Sequence, residues 1–382
     1  MITGIKSTRI VLPDRILSGY LYIRGNKILS VGATPQPCDQ LLDFGDLYVA
    51  PGFIDLHTHG CNGIAYSHCS AQEAMEACAF HLRHGATTLL PTISAGPLEE
   101  MEAALAVLAR LVDDPSAPFT VPGIHLEGPY LNEKQCGAQR PGMITPPIRQ
   151  AYTALVDRLG KYIARWDFAP EKDKDLAFCK YIRSKGILPS VGHSDARYRE
   201  LLPAFKEGCS LVTHLYSCTS TITREQGFRH LGIVETAYLL PDLDVEIIAD
   251  GKHLPPELIN MIVKIKGRDH VALVTDSLSA AGLSVTEGVI DGRPFLVEDG
   301  VCKLPDRSAF AGSIALPDRL LRTATEECGI SMVDAVYMLT ATPARILGLP
   351  KGRLEAGLDA DLVVFDEGIS IKALFSKGIH RI

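Results

Sequence analysis

Imidazoles and carboxylates gather at a few short stations along this chain. Asp55-Leu56-His57-Thr58-His59-Gly60 ends an apolar run, and in an extended strand, whose side chains alternate, Asp55, His57 and His59 share one face. Two imidazoles that close have a ready use in binding one divalent ion; the plainer alternative is a polar strand end. A second run ends Ile124-His125-Leu126-Glu127-Gly128-Pro129, with Glu127 at its mouth and His125 one layer deeper on the same face. Gly192-His193-Ser194-Asp195, Thr213-His214 and Thr275-Asp276-Ser277 close three more runs. Carboxylates are rarely fully buried unless paired, so this set is hard to assign to packing. His193, His214 and Glu127 can complete one N,N,O site that leaves a position for water, while His57 and His59 can hold a second ion bridged by Glu127. Such an ion lowers the pKa of water to about 7 and polarises a carbonyl. Asp276 is the remaining carboxylate, suited to take a proton from water and pass it to a leaving nitrogen, with a metal ligand or strand-end cap as its other readings.

Residues so far apart in sequence need a framework that brings them to one end. The runs recur eight times: 52–57, 87–92, 121–127, 164–169, 188–193, 211–216, 245–250 and 271–276. Between them, stretches such as 71–85 and 98–111 carry apolar residues at helical spacing. Eight β-then-α units predict a (β/α)8 TIM-like barrel, whose active site lies at the C-terminal strand ends; an open doubly wound sheet is the alternative. The termini read differently. Ile10-Val11-Leu12, Tyr20-Leu21-Tyr22-Ile23 and Ile28-Leu29-Ser30-Val31 are strand-like, with Gly25-Asn26 as a hairpin turn. Ala360 to Phe365 and Ile369 to Ile371 are strand-like as well. Neither end has enough strands to close a β layer alone, which predicts one small composite β-sandwich. The expected division is 1–51 and 347–382 in that sandwich and 52–346 in the barrel.

Composition narrows the functional classes. Over 382 residues, 46% hydrophobic against 22% charged is a globular balance that excludes intrinsic disorder. A formal net charge of -7, with no block of five basic residues, argues against nucleic-acid or anionic-membrane partners. Ten scattered cysteines with no Cys-x-x-Cys pair, and no apolar run of eighteen residues or signal-like N-terminus, predict a reduced, cytoplasmic protein. Cys61, Cys136 and Cys218 fall near site segments, where free buried thiols are the expected reading over thiolate ligands.

Taken together, the motifs resemble the amidohydrolase superfamily, and within it the N-acetylglucosamine-6-phosphate deacetylase family. The resemblance rests on Pro51 to Gly60, His125-Leu126-Glu127-Gly128-Pro129-Tyr130-Leu131-Asn132, Gly192-His193-Ser194-Asp195-Ala196, Thr213-His214-Leu215-Tyr216, Asp250-Gly251-Lys252-His253 and Val274-Thr275-Asp276. It continues through Ala311-Gly312-Ser313 to Gly357-Leu358-Asp359-Ala360-Asp361, covering nearly the whole chain. It implies hydrolysis of the acetamido group of a 6-phosphosugar to acetate and the amino sugar phosphate. It also implies Glu127, His193 and His214 on the main metal, Asp276 as acid/base, and His253 as a substrate contact. His57 and His59 favour a two-ion site, and zinc, iron or manganese all suit such ligands. Arg224 resembles the arginine that the family's dimer extends to the neighbouring subunit's sugar phosphate, which implies a homodimer.

The substrate-facing positions depart from the family. Gln139 in Gly137-Ala138-Gln139 stands where a substrate-contacting histidine is usual, and Ser217-Cys218-Thr219 stands where Asn-Ala-Met is usual. Gln226-Gly227-Phe228-Arg229-His230 also departs from the usual Pro-Gly pattern. Gln139, Ser217 and Cys218 are therefore candidate substrate contacts of altered character, and the galacto epimer or an unphosphorylated sugar is an alternative substrate. A cyclic-amide hydrolase is disfavoured, because the fourth run, Trp166-Asp167-Phe168-Ala169-Pro170-Glu171, lacks the bridging lysine usual there. A non-catalytic sugar-phosphate binder on a decayed enzyme scaffold is the remaining alternative.

Overall fold

Eight parallel strands form the centre of the computed structural model, which describes residues 1–290 and 292–382. They are β1 (Phe53–Thr58), β2 (Ala86–Ser94), β3 (Ile124–Glu127), β4 (Ile163–Phe168), β5 (Leu188–Val191), β6 (Leu211–Val212), β7 (Asp244–Ile248) and β8 (Val271–Val274). Each pairs with its sequence neighbour in order. The ring closes between its first and last members, where the Asp276 N–H donates to the His57 carbonyl and the His59 N–H to the Ser277 carbonyl, both at 2.9 Å. Asp55 fastens the same seam lower down, its carboxylate accepting from the Thr275 hydroxyl at 2.6 Å. The expected barrel is thus present, and all six residues of β1 are buried, as a strand covered on both faces requires.

Helices cover the outside. The helix Ala71–Arg83 starts at a capping box, in which Ser70 Oγ accepts from the Glu73 N–H and the Glu73 carboxylate accepts from the Ser70 N–H. The helix Leu98–Val112 turns Met101, Leu105 and Leu108 onto the barrel core at helical spacing. Among the described residues, no helix is long and apolar enough to cross a membrane, and all ten cysteines are free.

The two ends of the chain share one β unit. Leu362–Phe365 pairs antiparallel with Tyr48–Pro51, so hydrogen bonding runs continuously through eight strands from both termini. Its apolar side is a separate small core containing Ile5, Leu21, Val49, Leu362 and Phe375. The turn at Gly25-Asn26 joins Ile16–Arg24 to Lys27–Gly32 as expected, with Gly25 at φ 59°.

Two additions carry no run in the sequence long enough to announce them. A four-stranded antiparallel sheet, Glu287–Ile290, Arg293–Glu298, Val301–Lys303 and Phe310–Gly312, follows β8 and encloses its own core around Leu278, Phe295 and Cys302. A short hairpin, Thr223–Glu225 with Phe228–His230, stands out after β6, with Phe228 exposed.

One buried ion pair ties the β unit to the barrel. The Lys351 ammonium lies 2.6 Å from Asp361 and donates to the hydroxyls of Thr88 and Thr120, both at 3.1 Å. Both side chains are almost wholly buried. Lys351→Met leaves the Asp361 charge without a counter-ion, which is expected to cost about 3 kcal/mol in denaturant unfolding. The double variant Lys351→Met/Asp361→Leu is expected to recover more than half of that loss, because no charge is left stranded.

Candidate functional site

The residues singled out in the sequence converge at the C-terminal mouth of the barrel. His193, His214 and Asp276 each sit two positions beyond the last residue of their strand, in the left-handed region at φ 46°, 29° and 47°. That conformation is uncommon for residues with a Cβ and costs about 1–3 kcal/mol each, a strain typical of functional positions. All three, with His57, His59 and Glu127, are buried.

Glu127 is the hub. Its Oε1 lies 3.0 Å from Nε2 of both His193 and His214 and 3.5 Å from Nε2 of His57. Its Oε2 lies 3.2 Å from His59 Nε2. Asp276 Oδ1 stands 3.4 Å from Nε2 of His57 and of His59, which are 3.2 Å from each other. The far sides of the rings set their orientation. His193 Nδ1–H donates to the Gln135 carbonyl at 2.8 Å, and His59 Nδ1 pairs with Ser94 Oγ at 3.1 Å, directing both Nε2 atoms inward. Four inward nitrogens and two carboxylates form a donor set that fits a hard-to-borderline divalent cation. His57, Glu127 and His214 have ligand atoms within 4.8 Å of one another, and so do His57, His59 and Asp276. His57 therefore belongs to both groups, rather than only to a second ion as the sequence spacing suggested.

Above the cage opens a cavity of about 250 Å³, lined by Gln139, Arg140, Tyr216, Ser217, Cys218, His253 and Phe310 among others. The Amidohydrolase family profile matches residues 48–379, most of the chain. The chain belongs to the amidohydrolase family. It is 30% identical to N-acetylglucosamine-6-phosphate deacetylase of Haemophilus influenzae over 82% of this chain and 81% of the relative. It is also 30% identical to N-acetylgalactosamine-6-phosphate deacetylase of a Shewanella species over 86% and 81% of the respective chains. The crystal structure of N-acetyl-D-glucosamine-6-phosphate deacetylase from Mycobacterium smegmatis matches with a TM-score of 0.92 at 30% identity, covering 100% of both chains.

Within this amidohydrolase site the other expected residues fall into distinct environments. His253 lines the cavity, and its Nδ1–H donates to Asp250 at 2.8 Å, which leaves Nε2 as the free ring nitrogen. Ser217 and Cys218 line the same wall. Burial pushes the Cys218 thiol up, but the charge and hydrogen bond of His193 outweigh it and draw the thiol below its usual range. Gln139 is also in the wall, yet its amide is committed to the protein: Nε2 donates to Glu127 at 2.6 Å and Oε1 accepts from the Ala95 N–H at 3.0 Å. In this arrangement it positions the hub carboxylate. Arg224 lies on the exposed hairpin and does not line the cavity of its own chain.

Beneath the cage lies a charged layer that sequence reasoning did not single out. Arg165 of β4 donates to Glu246 of β7, and its other nitrogen donates to Thr213 at 2.8 Å and Asp167 at 3.2 Å. Asp167 in turn faces His125 at 3.1 Å. Burial and the Arg165 charge lower His125 to about 4, so it is neutral and belongs to this layer rather than to the cage. Glu246 Oε2 stands 3.7 Å from His57 Nδ1, beneath the ring whose Nε2 enters the cage. The legible signal was there: Arg165, Asp167 and Glu246 are charged residues inside apolar runs, the first two at the inward period of two.

The cage is electrostatically strained towards cation uptake. Burial alone would lower the His59 imidazole, but hydrogen bonds and charge from Asp276 and Glu127 raise it to about 10. Burial alone would raise Asp276, but the imidazoles of His57, His59 and His214 hold it below the usual carboxylate range. At neutral pH the His59 ring is therefore protonated, and an incoming cation must displace that proton. Apparent affinity should accordingly rise with pH below about 10 and fall as the solution is acidified. Zinc added to chelator-treated protein at pH 7.5 is expected to release at least one proton per chain, read with an indicator dye. Uptake without proton release would remove His59 from the ligand set.

Proposed function

We propose that this amidohydrolase is a metal-dependent deacetylase that hydrolyses the acetamido group of N-acetylglucosamine 6-phosphate to glucosamine 6-phosphate and acetate. The observation that carries the reading is the buried convergence of four imidazoles on Glu127 beside an ionised Asp276, at the floor of a cavity of monosaccharide scale. Relatives named for this reaction, similar over most of their length, support it.

Glu127, His193 and His214 would hold one ion and His59 a second, with His57 within reach of both, and zinc, iron and manganese are all compatible with these donors. Such an ion supplies Lewis-acid chemistry, polarising an amide carbonyl and acidifying a water molecule. The rest falls to the chain's own groups. Asp276, held ionised at neutral pH, is able to accept a proton from the attacking water. Amide cleavage then needs a proton on the leaving nitrogen, and the same carboxyl group, now protonated, is the group placed to give it. His253, fixed by Asp250, offers Nε2 to a sugar hydroxyl or the acyl oxygen. Gln139 keeps Glu127 facing inward. These groups lie buried at the floor of the cavity, with little of their surface exposed.

A homodimer acting in the cytoplasm completes the reading. The exposed hairpin bearing Arg224 and Phe228, and ten free thiols, support it. A galacto epimer as substrate is a second reading favoured by one observation: a relative named for N-acetylgalactosamine 6-phosphate is as similar, at 30%, as one named for the gluco sugar.

Acetate release by the metal-loaded protein, measured on the two 6-phosphate epimers and both unphosphorylated sugars, tests the assignment. Selective turnover of the gluco 6-phosphate is expected; preference for the galacto epimer transfers the assignment to that sugar, and no turnover of any of the four rejects it. Asp276→Asn is expected to lower kcat by about 10²–10⁴-fold with the fold unchanged by circular dichroism, and full activity in that variant would remove Asp276 from proton transfer.

A further inference from the structure

A sugar phosphate brings a dianion into a cavity whose floor carries the Glu127 and Asp276 carboxylates among its imidazoles, which favours placing the phosphate against a cation of the wall. Among the described residues lining the cavity, Arg140 is the one lysine or arginine. We propose that Arg140 is the anion anchor of this site and receives the substrate's phosphate monoester from within the same chain. The inference rests on the deacetylase reading and adds a residue that neither the sequence motifs nor the family resemblance assigned.

Three observations carry it. First, the guanidinium is unspent. Its Nε is buried without a partner, and no carboxylate among the described residues forms an ion pair with it. Glu100 borders an adjoining recess with Arg140 but makes no ion pair with it. By contrast, Arg165, Arg197, Arg322 and Arg345 each hold a carboxylate. A buried guanidinium nitrogen without an acceptor is costly unless a ligand completes it.

Second, the backbone beneath the side chain is fixed. Arg293, from the inserted antiparallel sheet, donates to the carbonyls of Gly137, Ala138 and Gln139 at 3.3, 2.9 and 2.9 Å. The Gln139 side chain is held between Ala95 and Glu127, and the Arg140 carbonyl accepts from the Met143 N–H at 2.9 Å. A fixed base with an uncommitted head is the arrangement that loses least entropy when a ligand binds.

Third, the chemistry matches. A guanidinium presents parallel N–H donors that meet two phosphate oxygens at once, with a charge that does not titrate near neutral pH. Arg140 follows directly on Gln139, whose amide touches Glu127, so the anchor and the cage are carried by one short segment. The distance between phosphate and acetamido group is then read by this chain alone, whatever Arg224 contributes from a neighbour.

The test compares wild type, Arg140→Met and Arg140→Lys, all metal-loaded, using the preferred 6-phosphosugar, its unphosphorylated counterpart and inorganic phosphate as a titrant. In Arg140→Met the ratio of kcat/KM for phosphorylated over unphosphorylated sugar is expected to fall about 10–100-fold, mostly through KM, with inorganic phosphate binding weakened in parallel. Arg140→Lys, which keeps the charge and loses the fork, should recover part of the ratio. An unchanged ratio, or an equal loss on both sugars, overturns the proposal. The deacetylase reading is judged separately on wild type. If wild type hydrolyses no acetamido sugar, inorganic phosphate binding alone decides: loss in Arg140→Met supports the anchor, and equal binding in both proteins overturns it.

Discussion

Everything at the mouth of this barrel depends on one buried carboxylate being shared. Glu127 is approached by the imidazoles of His57, His59, His193 and His214 and by the Gln139 amide, and Asp276 shares the inward nitrogens of His57 and His59 with it. The five come from β1 and the residue that follows it, the segments after β5 and β6, and the loop after β3. No two neighbouring segments can assemble the set, so it exists only when the ring is closed. Closure and site are in fact the same event at the β1–β8 seam, where the Asp276 and His59 amides are themselves the hydrogen bonds that complete the ring. The left-handed backbone at His193, His214 and Asp276 belongs to the same constraint, because it aims side chains inward where strand alternation has stopped.

Concentrating imidazoles around a carboxylate inside a protein is unfavourable unless the charge below is managed. Arg165 does this from the layer beneath, with Glu246 on one side and Asp167 on the other, all fully buried. Buried ion pairs of this kind add little stability over an apolar core of the same shape, yet removing one member is costly. Their presence is better explained by orientation than by stability. Glu246 faces the outer nitrogen of His57 and Asp167 faces His125, so the polar layer supports the cage from below. An apolar layer would pack as well and leave the His57 ring without a polar neighbour on that side.

The parts of this architecture that were legible in the sequence share a physical property: their signal is local. Eight apolar runs, five of them carrying the cage's ionisable residues at or near their ends, announced the barrel and its functional end, because a buried parallel strand must be apolar and a strand-end ligand must be polar. The terminal β unit was readable from strand-like segments too few to stand alone, which the pairing of Tyr48–Pro51 with Leu362–Phe365 resolves. What stayed hidden depends on partners far away in sequence. Gln139 stands where a substrate contact was expected, and only the fold reveals that both ends of its amide are occupied. Glu246 looks like a polar interruption of a strand until Arg165 is placed beside it. The antiparallel sheet at 287–312 has strands of three to six residues divided by turns, too short for any period to stand out.

That last element also shows how such a site divides its tasks. The cage is built from strand ends, where a shift of one residue would misplace every ligand, so its composition is tightly constrained. The upper wall is built from an inserted sheet and a loop after β3, joined to the barrel by Arg293 and Gln139. Gln139 belongs to this upper wall, whereas Ser217 and Cys218 line the cavity from the segment after β6. The cage and the wall above it are thus carried by different parts of the fold, joined by hydrogen bonds that include those from Gln139 to Glu127 and from His193 to the Gln135 carbonyl.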